Sequence, residues 1–119
     1  MWRQFTMAMG VYEGYALFRE LGGEIKVVSF LRPQGLLNIV GERPVISIRK
    51  GDSLEEQVKT LLHELIHLSS ENWRFWGQHL TKDDPVEMRI EQETEIVYSC
   101  QPRFVEHLRE KIRSARYQK

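Results

Sequence analysis

Leu54, Val58, Leu61, Leu62, Leu65 and Leu68 recur at helical spacing, and that apolar stripe obliges the segment to fold as a helix with one side set against a core. Its start is marked. Ser53, followed by Glu56, forms a capping box whose hydroxyl and carboxylate can satisfy free amides of the first turn. At about 100° per residue, His63 and His67 fall nearly opposite the stripe, beside Glu56 and Thr60. Both belong to Leu62-His63-Glu64-Leu65-Ile66-His67, an H-E-x-x-H signature. Two imidazoles one turn apart on one side can hold a single Zn²⁺ while Glu64 reaches a water activated there, a constellation that implies a hydrolase. Histidines opposite a core stripe gain nothing from burial unless something binds them. The plainer alternative is a solvated polar face.

The rest of the pattern predicts an α+β fold. Val11 to Leu21 reads as a first helix with Tyr12, Tyr15, Ala16 and Leu17 or Phe18 inward, stopped by Gly22-Gly23. Ile25 to Leu31 is β-branched and apolar, Arg32-Pro33-Gln34-Gly35 supplies a turn, and Leu36 to Val40 reads as a second strand. Gly41-Glu42-Arg43-Pro44 then turns into a third strand at Val45-Ile46-Ser47-Ile48. Three short strands with tight connections predict a small antiparallel or mixed sheet on which the His63 helix packs. Beyond that helix, the cluster Trp73, Phe75 and Trp76 reads as a lid over the core or as the wall of a cleft. Asp83 or Asp84 caps a further helix with Pro85 at its first position and Val86, Ile90 and Val97 along its apolar side. Gln101-Pro102 breaks it, and Phe104, Val105, Leu108 and Ile112 mark a last amphipathic helix. A chain of 119 residues, 41% of them hydrophobic, suffices for one compact domain spanning 1–119.

Charge excludes some partners. Lys plus Arg and Asp plus Glu number 17 each, so the whole molecule has no electrostatic bias toward nucleic acid or anionic membrane. Acidic side chains crowd the stretch from Asp83 to Glu95, whereas Arg109, Lys111, Arg113 and Arg116 enrich the C-terminal end in positive charge. No nucleic-acid motif accompanies that basic end, and direct nucleic-acid binding is not expected. Cys100 is the single cysteine, which rules out an intramolecular disulfide and fits a reducing compartment. The N-terminus lacks the apolar core of a signal peptide, and no run approaches the ~20 apolar residues of a membrane span. The expectation is a soluble, cytoplasmic protein.

A catalytic zinc site needs three protein ligands, and H-E-x-x-H supplies two. A metzincin would place its third histidine where this chain has Trp73, so that class is excluded. His79 further downstream is the candidate a SprT-like protease would use, although Leu80-Thr81-Lys82 follows it. The stretch Arg89-Ile90-Glu91-Gln92-Glu93-Thr94-Glu95 is the better source. Glu93 falls near the seam of Val86, Ile90 and Val97, Glu91 flanks it together with Tyr98, and Glu95 points further round. A carboxylate beside an apolar seam is costly unless something compensates it, so coordination would rationalise Glu91 or Glu93. Periodicity alone leaves the choice open.

With these residues in view, the chain resembles the zinc peptidases named after ImmA and IrrE, over roughly Tyr12 to Val105. The resemblance rests on the strand and cap before the helix, on Thr60-Leu61-Leu62-His63-Glu64-Leu65-Ile66-His67-Leu68, and on Ile90-Glu91-Gln92-Glu93-Thr94, which looks like the family's Ile-Glu-x-x-Ala pattern. It implies that His63, His67 and Glu91 are the zinc ligands and Glu64 the general base. It also implies that the substrate is a DNA-binding, helix-turn-helix repressor, as in versions from phage and mobile elements. Tyr98 or His79 is the candidate helper donor, and His107 reads as a surface residue. Two other functions fit the same residues: a non-catalytic, metal-stabilised protein-binding module, and a SprT-like protease acting on DNA-bound protein.

Overall fold

The computed structural model describes residues 2–69 and 85–116, with side chains from Val11 onward except that of residue 86. Among the described residues four helices accompany a three-stranded sheet: α1 (Trp2–Glu20), β1 (Glu24–Val28), β2 (Gly35–Val40), β3 (Arg43–Arg49), α2 (Leu54–Ser69), α3 (Pro85–Cys100) and α4 (Pro102–Arg116). This is the expected α+β arrangement of an N-terminal helix, a small sheet, the H-E-x-x-H helix and two C-terminal helices. Proline opens both α3 and α4, where its missing N–H costs nothing. Among the described residues no helix is long and apolar enough to cross a membrane.

The sheet is mixed, in the order β1-β3-β2. β3 lies in the middle, parallel to β1 with Ile25 beside Ile46, and antiparallel to β2 with Leu37 beside Ile46. Arg32-Pro33-Gln34 therefore does not close a hairpin between β1 and β2. It carries the chain past β3 to the far edge. The physical reason lies in β3 itself: Val45, Ile46 and Ile48 are all buried, and a strand apolar on both faces belongs between two others. Ile25, Val27, Leu37, Ile46 and Ile48 lie on one face of the sheet and join the core.

The core centres on α2, which packs against α1, α3, α4, β2 and β3. The expected stripe is buried at Val58, Leu61, Leu62, Leu65 and Leu68, and Gln57, Thr60 and Ile66 are buried as well. The cap is present, with the Glu56 amide donating to Ser53 Oγ at 3.2 Å. Gln57 ties three segments together. Its Nε2 donates to the carbonyls of Arg49 (3.0 Å) and Lys50 (3.4 Å), while its Oε1 accepts from Arg116 of α4 at 2.6 Å. A buried amide satisfied on both sides fixes where α2 leaves the sheet.

α1 packs with Phe18 inward as expected and with Tyr15 and Leu17 partly buried against the core. Val11, Gly14 and Phe18 are buried, whereas Tyr12 and Ala16 are exposed. Gly14 is the cause: a Cβ there would stand 2.1 Å from the Leu65 carbonyl oxygen, so the two backbones approach at that residue. Gly22, at φ 70°, then takes the left-handed conformation that ends the helix.

Candidate metal centre

α2 and α3 run antiparallel, and their facing polar residues advance in steps of one turn along both helices. Glu87 meets His67 and His63, Glu91 meets His63, Glu95 meets Lys59, and Tyr98 donates to Glu55. The same register buries Ile90, Thr94 and Val97 as the apolar seam of α3. His63 and His67 are thus covered by a neighbouring helix, each with 14% of its side chain exposed, and do not form a solvated face.

Both imidazoles turn Nε2 toward one carboxylate. His63 Nε2 lies 2.9 Å from Glu87 Oε2, and His67 Nε2 lies 2.6 Å from Glu87 Oε1. The rings tilt at 57° with centroids 5.0 Å apart. One ligand atom from each of His63, His67 and Glu87 can be chosen so that all three lie within 4.8 Å of one another, as three ligands of one ion require. Two neutral imidazole nitrogens and one carboxylate oxygen form a donor set suited to Zn²⁺, with a position left for water.

The group that the geometry gathers contains Glu87, where the sequence pattern pointed to Glu91. Glu91 is close to His63, but its Oε1 lies 3.0 Å from Nδ1, the ring nitrogen on the side away from Glu87. Glu91 therefore lies outside the group formed by the two Nε2 atoms and Glu87. Glu95 pairs with Lys59 at 3.2 Å, and Glu93 is absent from the group. His79 and the cluster of Trp73, Phe75 and Trp76 lie outside the described residues. The Tyr98 hydroxyl donates to Glu55, which Arg109 also holds at 2.7 Å. His107 is exposed, as expected, and contacts the Tyr15 hydroxyl at 2.7 Å.

The centre's electrostatics are those of a crowded acid–imidazole cluster. Burial opposes protonation of His63, yet the Glu87 hydrogen bond and the charges of Glu64, Glu87 and Glu91 prevail and raise its pKa. Burial pushes Glu87 up, but the hydrogen bonds and charges of His63 and His67 outweigh it and bring the carboxyl down to about 2. Glu64 moves the other way. Burial raises it, and the two imidazoles offset only part of that rise. A carboxylate that is costly to desolvate and set beside a cation site is suited to accept a proton.

β2 borders the centre. A Cβ on Gly35 would stand 2.3 Å from Thr60 Cγ2 and 3.5 Å from Glu64 Oε2, so the first residue of β2 passes directly over the Thr60–Glu64 turn of α2. β2 is an edge strand, and no strand pairs with its outer side among the described residues. Sequence reasoning did not single out Gly35 or Glu87. The signal for Glu87 was present in the spacing: Glu87, Glu91 and Glu95 repeat every fourth residue, as His67, His63 and Lys59 do in the opposite direction.

Comparisons of the chain with protein-family models, with curated proteins and with solved structures find no match.

Proposed function

We propose that this chain is a zinc-dependent peptidase that hydrolyses a peptide bond in a protein substrate. The observation that carries the proposal is the convergence of His63 Nε2 and His67 Nε2 on the Glu87 carboxylate, with the half-buried Glu64 one residue after His63. His63, His67 and Glu87 would hold the ion. When bound, it supplies Lewis acidity that polarises a carbonyl and lowers the pKa of water. Glu64 takes the proton from the attacking water and delivers it to the departing amine, so one carboxyl serves as base and then as acid. The unpaired side of β2 offers main-chain hydrogen bonds to an extended peptide, and Gly35 sets the start of that edge beside Glu64. The narrower form of the proposal, a helix-turn-helix repressor as substrate, is supported by the resemblance to the ImmA and IrrE peptidases.

Glu64→Gln tests the chemistry, because the amide keeps the shape and loses the base. Zinc-loaded wild-type chain is incubated with a degenerate peptide library, and new N-termini are read by mass spectrometry. Cleavage that depends on zinc and falls at least about a hundredfold in Glu64→Gln, with zinc retained, is expected. Cleavage by the variant at the wild-type rate would overturn the assignment of Glu64. Zinc uptake without any cleavage would instead favour a metal-stabilised binding module.

A further inference from the structure

The two ring nitrogens of His63 face two different carboxylates. Nε2 lies 2.9 Å from Glu87, and Nδ1 lies 3.0 Å from Glu91. A neutral imidazole carries a single proton, and a metal on one nitrogen forces that proton onto the other. With Nε2 given to the ion, the remaining N–H of His63 would sit on Nδ1, where Glu91 from the next turn of α3 is in charge contact at 3.0 Å and a rotation of its exposed side chain would complete a hydrogen bond. We infer that Glu91 is a positioning residue of the metal centre, fixing the tautomer and ring angle of His63 through Nδ1 while Glu87 binds the ion. The inference rests on the metal-centre reading above and assigns Glu91 a role different from that of a ligand.

Two further observations support the division of labour. Glu87 and Glu91 stand one turn apart on the same side of α3, so the helix that brings one to the Nε2 atoms necessarily brings the other to the level of His63. Their exposure also differs as the roles require: the Glu87 side chain is 18% exposed, enclosed between the rings, and that of Glu91 is 66% exposed, approaching from outside. A carboxylate that hydrogen-bonds to a ligating histidine holds the ring in its coordinating orientation and raises its basicity, and losing such a partner typically costs ten- to a hundredfold in metal affinity.

The test compares full-length wild type, Glu91→Gln, Glu91→Ala and Glu87→Ala by zinc titration against a chromophoric chelator. It is coupled to nitrogen-15 spectra of the histidine rings in the zinc-loaded proteins. Wild type should bind one zinc per chain and show a slowly exchanging Nδ1–H on His63. Glu91→Ala should keep that stoichiometry, weaken binding by about ten- to a hundredfold and lose the Nδ1–H signal to exchange. Glu91→Gln, whose amide oxygen still accepts a hydrogen bond, should fall between them, whereas Glu87→Ala should lose stoichiometric zinc. Equal affinity across wild type and both Glu91 variants would overturn the inference. So would loss of stoichiometric binding in Glu91→Ala with retention in Glu87→Ala, because Glu91 would then be the ligand. A matching loss of thermal stability in metal-free Glu91→Ala would overturn it too, by making the role structural. Failure of the wild-type chain to bind zinc would sink the metal centre itself, an outcome distinct from these.

Discussion

Gly35 shows how tightly the neighbourhood of Glu64 is built. The missing Cβ is what allows β2 to cross the Thr60–Glu64 turn, since a methyl there meets Thr60 Cγ2 at 2.3 Å and Glu64 Oε2 at 3.5 Å. Gly35→Ala should therefore lower stability by about 1–3 kcal/mol in urea unfolding, the usual cost of overpacking. Much of that loss should return in Gly35→Ala/Thr60→Ser, because serine removes Cγ2 and keeps the hydroxyl that donates to the Glu56 carbonyl at 2.9 Å. An additive double mutant would show that the strain lies elsewhere. At this scale His63, Glu64 and His67 were legible from their spacing alone, because H-E-x-x-H is a local relation within one helix. Gly35 was not, since a contact between an edge strand and a helix two elements later leaves no mark in local spacing.

The helices tell a similar story one level up. The bounds of α2, α3 and α4 follow from Ser53, Pro85 and Pro102, which act on the backbone within a turn of where they stand. On α1, Phe18 is inward as its periodicity predicts, but Tyr12 and Ala16 are exposed, because contact with α2 depends on the smallness of Gly14. Gly14→Ala should consequently separate α1 from α2 and cost about 1–3 kcal/mol, although alanine is the better helix former by about 1 kcal/mol. A variant as stable as wild type would mean that the helices do not meet at the Leu65 carbonyl. The place of Glu87 beside the two imidazoles was illegible for a related reason. Choosing among acids on α3 needs its register against α2, which is a property of the pair of helices.

For the molecule as a whole, the acid–imidazole cluster of His63, Glu64 and Glu87 couples stability to pH. His63 has a raised pKa in the metal-free fold, so its contribution is full below its ordinary value of 6.5 and is lost as pH rises through the raised value. Glu64, raised by burial, acts in the same direction, because ionising it costs more in the fold than in the open chain. Glu87, lowered to about 2, contributes above its ordinary 4.5 and loses that contribution only as pH falls toward 2. The metal-free protein should thus melt at a lower temperature at pH 8 than at pH 5.5. Zinc should reverse the order, since protons no longer compete for the imidazoles at pH 8. At a hundredfold excess over its dissociation constant the ion should add about 2.7 kcal/mol, and calorimetry with and without chelator measures the gap. Identical midpoints with and without zinc at pH 8 would rule out a bound ion.

The matched steps along α2 and α3 carry one more implication. If α3 slid by a single turn, Glu91 would arrive at His67 and Glu95 at His63, and the acid–imidazole pairing would survive almost unaltered. Like a vernier whose marks repeat, the acids and imidazoles by themselves do not distinguish neighbouring alignments. The uneven sizes of Ile90, Thr94 and Val97, with the Glu95–Lys59 and Tyr98–Glu55 pairs that such a slide would break, tell the helix where to stop, so the choice of which acid reaches the imidazoles is made away from the imidazoles themselves.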